Sequence, residues 1–203
     1  MDALALREYR RRDRREVTGV LARAFSIDPL FDYFARDLLN EHRLMPRIMA
    51  AYLSDLGPNG QCWVAADEND HARGFAGWLP PDALPRSTRR ESMVTLRAGA
   101  AIVRAWRPIA ATRLFFEVEK HHPHEPHWYL GILAVDPTRQ GRGHGKELIT
   151  PGLERADRDR LPCYLETQKE QNVPWYARFG FDVREEIRLP GIPPVWCLWR
   201  QPA

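Results

Sequence analysis

The sequence predicts one α/β domain. Short apolar runs that are typical of strands alternate with longer runs in which apolar residues recur at helical spacing. Their order along the chain is βααββ, a helical insert, then βαβαββ. The 203 residues are enough for one domain with a substantial core, and no linker-like segment separates two cores. We therefore expect residues 1–203 to form a single domain.

Seven short segments predict the strands. The run WYLGILAV is apolar almost throughout, which is typical of a strand buried on both faces of a sheet. The runs CWVAA and GFAGWL are joined by DENDHA, which has the composition of a turn, and together they predict a hairpin. The predicted strands are residues 4–9, 62–66, 74–79, 128–135, 163–167, 181–187 and 195–200.

Prolines and glycines predict where the helices end. Asp28-Pro29 should end the first helix, because the residue before a proline avoids helical angles. Near its start, Asp13 and Glu16 have the spacing of a capping box. Gly57-Pro58 should end the second helix, which is marked by apolar residues between Met45 and Leu56. In the second half, Pro108 should divide a helical insert at about 88–120 into two helices. Later helices are expected at 146–160, distorted by Pro151-Gly152, and at 173–180.

Composition argues against several classes of function. The net charge is only +3, from 30 basic and 27 acidic residues, which is too small to indicate a nucleic-acid partner. The three cysteines, Cys62, Cys163 and Cys197, are odd in number and widely spaced, so we expect buried free thiols rather than disulfides or a zinc site. No apolar stretch approaches the ~20 residues that span a membrane. The N-terminus lacks the features of a signal peptide. We therefore expect a cytoplasmic protein with no nucleic-acid or membrane partner.

A glycine-rich segment, RQGRGHGKEL, lies between a predicted strand and a predicted helix. Its glycines are Gly141, Gly143 and Gly145, and its basic residues are Arg139, Arg142, His144 and Lys146. Glycines allow backbone N–H groups to turn toward one point, and the N-terminus of the following helix carries partial positive charge. The segment therefore predicts an anion site suited to phosphate or pyrophosphate.

Two familiar phosphate-binding loops do not fit this segment. A P-loop would need glycine where Gln140 stands and Ser or Thr where Glu147 stands. The dinucleotide pattern GxGxxG fails as well, because Lys146 or Leu148 occupies the place of its third glycine. ATP bound by a P-loop and NAD bound by a Rossmann unit are therefore disfavoured.

The same segment is similar to the acetyl-coenzyme A loop of the GNAT N-acetyltransferase superfamily. That family's pattern is Gln or Arg, two residues, Gly, one residue, then Gly or Ala, directly after its fourth strand, and Gln140, Gly143 and Gly145 match it. Downstream, ETQKEQNVPWYARFGF resembles the family's fifth strand and following helix, with Asn172 and Tyr176 at the positions of the family's Asn and Tyr. Over about residues 120–200 the chain resembles the puromycin N-acetyltransferases and their relatives within the superfamily.

The resemblance implies a fold and an activity. The fold is a mixed, mostly antiparallel central sheet flanked by helices, with the acetyl-CoA-binding core at about 127–181 and the helical insert at about 88–120. The activity is transfer of the acetyl group of acetyl-CoA to a primary amine, which attacks directly in a ternary complex. We expect a small-molecule amine substrate, no metal, and a monomer or homodimer. Acetylation of a protein N-terminus or lysine stays open, as does a non-catalytic coenzyme A sensor.

The resemblance also implies which residues act. Backbone N–H groups of the loop would hold the pyrophosphate, and the end of the fourth strand would hold the pantetheine arm. The implied cofactor-binding residues are Leu133, Ala134, Val135, Gln140, Gly141, Arg142, Gly143, His144, Gly145, Lys146 and Asn172. Tyr176 matches the family's general acid, a phenol that is protonated at neutral pH.

The general base is not singled out by spacing. Tyr129 stands about where several family members carry Glu or His on the fourth strand, but a tyrosine is a poor base at neutral pH. Glu166 ends the fifth strand and could face the cleft. The remaining candidates are Glu117, Glu119, His124, Glu125 and His127. A substrate with a low-pKa amine would need no dedicated base. The prolines of HHPHEPH disfavour a metal site there, because they prevent a regular helix or strand that would aim the histidines.

Overall fold

The computed structural model describes residues 4–26, 28–34, 38–84 and 107–203. Seven strands in these ranges form one sheet in the order β1-β2-β3-β4-β5-β7-β6. The strands are β1 Ala5–Glu8, β2 Gln61–Ala66, β3 Ala72–Leu79, β4 Trp128–Val135, β5 Cys163–Thr167, β6 Asp182–Ile187 and β7 Val195–Arg200. Neighbouring strands are antiparallel except β4 and β5, which are parallel. The predicted mixed, mostly antiparallel sheet is therefore confirmed.

Helices cover both faces of this sheet. They are α1 Arg14–Phe25, α2 Pro29–Phe34, α3 Leu38–Asn59, α4 Pro108–His121, α5 His144–Asp159 and α6 Val173–Ala177. The start of a helix at Pro108 confirms that a second helix of the predicted insert begins there. The part of the insert at 88–106 lies outside the described residues.

Each face of the sheet has its own apolar core. On one face, α1 and α3 bury Leu21 and Met49 against β2 and β3, and α2 and α4 bury Phe34 and Leu114 against β5 and β7. On the other face, α5 buries Leu148 among strand residues and the α6 region. Successive side chains along a strand point to opposite faces of a sheet. The two faces of β4 and β5 therefore place different side chains against the helices on each side.

Two local predictions at helix starts were wrong or incomplete. Asp13 precedes α1 but makes no side-chain cap to it. Its carboxylate instead accepts hydrogen bonds from Arg7 at 2.7 Å and from the backbone N–H of Arg10, and Glu16 accepts from the backbone of Ala72 at 2.9 Å. Long-range partners therefore displaced the capping box. The short helix α2, directly after Asp28, was not predicted.

Prolines disturb two helices less than the sequence predicts. Helix α3 continues past Gly57-Pro58 to Asn59, since the N–H of Gly60 bonds to the carbonyl of Leu56 at 2.8 Å and closes the last turn. Helix α5 continues through Pro151. Its neighbours Leu148 and Leu153 are buried in the core, and this packing maintains the helix despite the lost hydrogen bond.

The three cysteines are free and buried, as the sequence predicts. Burial raises the pKa of Cys62 and of Cys163 to about 12, which leaves both as uncharged thiols at neutral pH. These residues therefore contribute to packing.

Candidate functional site

The parallel strands β4 and β5 separate soon after they begin. Trp128 pairs with Cys163 and Tyr129 with Tyr164, and no later residue of these two fully described strands is paired between them. β4 then follows β3 alone as far as Val135. A cleft therefore opens between the carboxyl ends of β4 and β5.

A β-bulge lies in β4 at the start of this cleft. Gly77 pairs with Ile132 and Trp78 with Leu130, so Gly131 is the extra residue on β4. A bulge increases the local twist and redirects the strand. Beyond it, Leu133 and Val135 are partly buried on the α5 side, and Ala134 is buried on the opposite side. The three strand residues predicted to bind the cofactor therefore line the separated part of β4.

The glycine-rich loop after β4 has open space at its glycines. Gly141 and Gly143 have φ angles of +76° and +92°, which side chains rarely adopt, and no atom lies within 4 Å of where a Cβ would be. Gly143 is also the N-cap of α5, and its carbonyl accepts the first helical hydrogen bonds from Lys146 and Glu147. The N–H groups of the first turn therefore point out of the helix end, where an anion can accept them.

Polar contacts hold the start of this loop. The carboxylate of Asp136 accepts hydrogen bonds from the backbone N–H of Thr138 at 3.1 Å and from Arg23 of α1 at 2.6 Å. Burial alone would raise the pKa of Asp136, but the bonds from Arg23 and Thr138 outweigh it and the pKa is lowered. The side chain of Gln140 donates to the carbonyl of Val135 at 3.0 Å. These contacts fix the path of the chain from β4 into the glycines.

The side chains of the loop divide into exposed and buried ones. Arg142 and Lys146 are exposed, whereas His144 is 6% exposed. The Nδ1 atom of His144 lies 3.1 Å from a carboxylate oxygen of Glu147. A Cβ on Gly145 would lie 3.2 Å from the ring of Trp175, so this glycine allows α5 and α6 to approach closely. His144 and Gly145, which were predicted to bind the cofactor, therefore also contribute to packing at the start of α5.

Asn172 and Tyr176 lie beyond the end of β5, on the side of α5. The side chain of Asn172 donates to the hydroxyl of Thr167 at 3.0 Å and ties this segment to β5. Although Asn172 is the N-cap of α6, its side chain makes no cap to it. Tyr176 is buried, and its ring packs edge-on against Phe181. Burial raises the pKa of the Tyr176 phenol, which keeps it protonated at neutral pH.

The opposite face of β4 and β5 carries a polar cluster. The hydroxyl of Tyr129 donates to Glu166 Oε2 at 2.8 Å, so the structure brings these two predicted residues together. The other oxygen of Glu166 lies 3.5 Å from Nδ1 of His122. His122 was not among the candidate bases, because its place beside β5 depends on how the loop after α4 folds back. The only sequence signal was its position in HHPHEPH.

Residues 27–181, more than half of the chain, match the Acetyltransferase (GNAT) family. The chain belongs to this family. It is similar to an uncharacterized N-acetyltransferase of Schizosaccharomyces pombe, with 39% identity over 62 residues, covering 30% of this chain and 25% of that protein. It is also similar to the mycothiol acetyltransferase of Acidimicrobium ferrooxidans, with 36% identity over 76 residues, covering 36% of this chain and 22% of that protein. The chain thus matches about a quarter of the length of each relative.

A solved structure supports the GNAT fold across the whole chain. It is described as histone acetyltransferase HPA2 and related acetyltransferase from Corynebacterium glutamicum. The TM-score is 0.72 at 23% identity, and the likeness covers 100% of this chain and 98% of that one. At this identity the likeness shows the fold and does not extend to the substrate.

Other predicted base residues of this GNAT chain lie elsewhere. Glu117 pairs with Lys120 at 2.8 Å, and Glu125 pairs with Arg184 at 3.1 Å, both on the surface. His127 is 2% exposed, and burial lowers its pKa, so it is neutral at pH 7. The remaining candidates, Glu119 and His124, are exposed.

The described residues show neither a metal-binding cluster nor a membrane-spanning helix. Within these ranges, no group of three or more His, Cys, Asp or Glu side chains is arranged to hold a metal ion. Of the helices described above, none is long and apolar enough to cross a membrane.

Proposed function

We propose that this GNAT protein is an acetyl-CoA-dependent N-acetyltransferase that acts on a primary amine of a small molecule. The observation that carries the proposal is the open pair of left-handed glycines, Gly141 and Gly143, at the N-terminus of α5 beside the separated end of β4. Two similar proteins are named as an N-acetyltransferase and a mycothiol acetyltransferase, which agrees with acyl transfer. The amine attacks directly, in a ternary complex.

The residues present fit coenzyme A. No atom lies within 4 Å of a Cβ placed at Gly141 or Gly143, and we call this open space the cradle. We assign to the backbone N–H groups of residues 140–145 the contacts with a pyrophosphate there. Arg142 and Lys146, which are exposed beside them, add positive charge. When bound, acetyl-CoA supplies the acetyl group as an activated thioester.

The end of β4 positions the pantetheine arm. Because β4 and β5 separate after Tyr129, backbone groups of residues 133–135 on the side of β5 are not used to pair these strands. We assign to them the hydrogen bonds to the arm, and to one N–H group the polarisation of the thioester carbonyl. Asn172, which is fixed to Thr167, supports the opposite wall of the cleft.

Tyr176 serves as the general acid. Burial raises the pKa of its phenol, so the phenol carries a proton at neutral pH. It therefore gives its proton to the thiolate of coenzyme A as the carbon–sulfur bond breaks. Glu166 and Tyr129, on the other face of the strands, supply the side of the cleft that receives the amine.

The experiment that tests this function is a thiol-release assay with a panel of amines. The panel begins with puromycin, because residues 120–200 resemble the puromycin N-acetyltransferases, and includes simple arylalkylamines and a short peptide. We expect amine-dependent release of coenzyme A with at least one small amine and an N-acetylated product by mass spectrometry. Release with the peptide alone would contradict the small-molecule acceptor, and release with none of the amines would contradict the transferase.

A further inference from the structure

The cluster of Tyr129, Glu166 and His122 connects three different elements. Tyr129 lies on β4, Glu166 lies on β5, and His122 follows α4. Both oxygens of the Glu166 carboxylate have a partner, the Tyr129 hydroxyl at 2.8 Å and Nδ1 of His122 at 3.5 Å. The Glu166 side chain is only 8% exposed, so these partners replace much of its water.

We propose that Tyr129, Glu166 and His122 act as one proton relay that accepts the surplus proton of the acceptor amine. This inference rests on the proposed function. The Tyr129 hydroxyl contacts the amine, Glu166 receives the proton, and His122 positions the carboxylate. The relay thus supplies the general base that the spacing of residues in the sequence does not identify.

The proton balance requires both Tyr129 and Glu166. The ammonium form of the amine loses one proton to the oxygen of Tyr129, while the hydroxyl proton of Tyr129 passes to Glu166 Oε2. A phenol alone is a poor base at neutral pH, but it can transfer a proton when a carboxylate accepts its own. The nitrogen loses a second proton as the amide bond forms, and this proton restores the Tyr176 phenol after the phenol has protonated the thiolate. No electrons change hands.

The titratable groups around the cluster do not compete with Glu166 for the proton. Burial lowers the pKa of His127 and raises the pKa of Tyr164, so both are neutral at pH 7. Burial also raises the pKa of Cys197 to about 11. Farther out, His121 lies 3.2 Å from Glu185, and Arg184 pairs with Glu125 at 3.1 Å. Glu166 Oε2, 2.8 Å from the Tyr129 hydroxyl, is thus placed to accept its proton.

His122 holds Glu166 in a defined direction. Its Nδ1 faces the carboxylate, whereas its Nε2 is buried with no partner among the described residues. A proton on Nδ1 would therefore face the Glu166 carboxylate across this 3.5 Å contact. His122 is accordingly a positioning residue, because it acts through Glu166.

The first test compares two amines that differ in basicity. Phenethylamine is protonated at neutral pH, whereas its β,β-difluoro analogue is largely neutral and needs less help from a base. We expect Glu166→Gln to lower kcat/KM for phenethylamine by about 10²-fold, to remove the acid limb of its pH profile, and to have a much smaller effect on the analogue. Tyr129→Phe should give the same pattern, and His122→Asn a weaker one.

Glu185→Gln is the matched control. Glu185 pairs with His121 as Glu166 pairs with His122, but its side chain is 47% exposed and lies outside the cleft. We expect this variant to leave both rates and the pH profile unchanged. An equal loss for the two amines in Glu166→Gln would mean that Glu166 has only a structural role, and would overturn the relay.

The second test needs no turnover. Nitrogen-15 NMR of the full chain reports which ring nitrogen of His122 carries a proton. We expect a proton on Nδ1 in the wild type, its loss or exchange broadening in Glu166→Gln, and no change in Glu185→Gln. A wild-type His122 without a proton on Nδ1 would overturn the relay. Absence of acetyl-CoA binding to the wild-type protein, measured in the same samples, would instead contradict the proposed function.

Discussion

The side-chain amide of Gln140 donates a hydrogen bond to the backbone carbonyl of Val135 at 3.0 Å. This contact links the first residue of the loop pattern to the last residue of β4. The contact fixes the direction in which the chain enters the loop. The loop is thus shaped before any ligand binds, which lowers the entropic cost of binding.

Gly143→Glu should reduce acetyl-CoA affinity by at least about 100-fold, because a carboxylate would occupy the cradle and repel the phosphates. Gly143→Ala is the matched control. It imposes the same strain at a φ of +92° without the charge, and should lose distinctly less affinity. Isothermal titration measures both. Equal losses would show that the backbone conformation alone determines binding and would contradict an anion site.

Tyr176→Phe should lower turnover by roughly 10²-fold, because the thiolate would leave without a general acid. Its affinity for acetyl-CoA should change little, since the ring still fills the core beside Phe181. Steady-state thiol release and titration with acetyl-CoA separate the two effects. The control is Tyr9→Phe, whose ring packs on Phe75 in the other core. A Tyr176→Phe enzyme with wild-type turnover would leave Tyr176 a packing residue.

Gly152→Ala should destabilise the fold by at least about 2 kcal/mol, because overpacking a core forces its neighbours to move. The added Cβ would meet buried Trp78 at an impossible distance from its ring. Gly19→Ala in α1 is the comparison, since its Cβ would meet only the flexible end of Arg23 at 3.3 Å. There the better helix propensity of alanine should stabilise by about 0.5–1 kcal/mol. Urea unfolding measures both; a neutral Gly152→Ala would refute the close packing.

Asp136→Asn should lower stability by about 1.5–3 kcal/mol at pH 7, the usual range for hydrogen bonds to a charged group. The lowered pKa of Asp136 means that the ionised carboxylate stabilises the fold above its usual pKa of ~3.9, and that this stability is lost as the pH falls through the lowered value. The difference from wild type should therefore shrink between pH 7 and pH 3. Exposed Asp182→Asn should show no difference at either pH. A difference as large at pH 3 as at pH 7 would contradict an ionic role.

Local patterns predicted most of the fold. The strand WYLGILAV and the hairpin of β2 and β3 were found because apolar side chains recur within a few residues of one another. Asp13 shows where this fails. Its spacing to Glu16 fits a cap, but Arg7 and the backbone of Ala72 compete for the two carboxylates. Such competition depends on strand pairing that the local sequence does not encode.

The candidate site also has a part that the sequence predicted and a part that it did not. The loop around Gly143 could be predicted because its glycines, strand and helix are contiguous. The contact between Tyr129 and Glu166 spans 37 residues and depends on the parallel pairing of β4 with β5. His122 reaches Glu166 through a loop whose path no periodic pattern reveals. Residues far apart in sequence therefore needed the structure.

The measurement that tests the central claim most directly is calorimetric titration of the wild-type protein with acetyl-CoA, coenzyme A, ATP and NADH in parallel. The cradle at Gly141 and Gly143 predicts that both coenzyme A forms bind, and that ATP and NADH bind far more weakly, because the loop has neither of their patterns. Failure of both coenzyme A forms to bind would contradict the assignment of the loop and the function built on it.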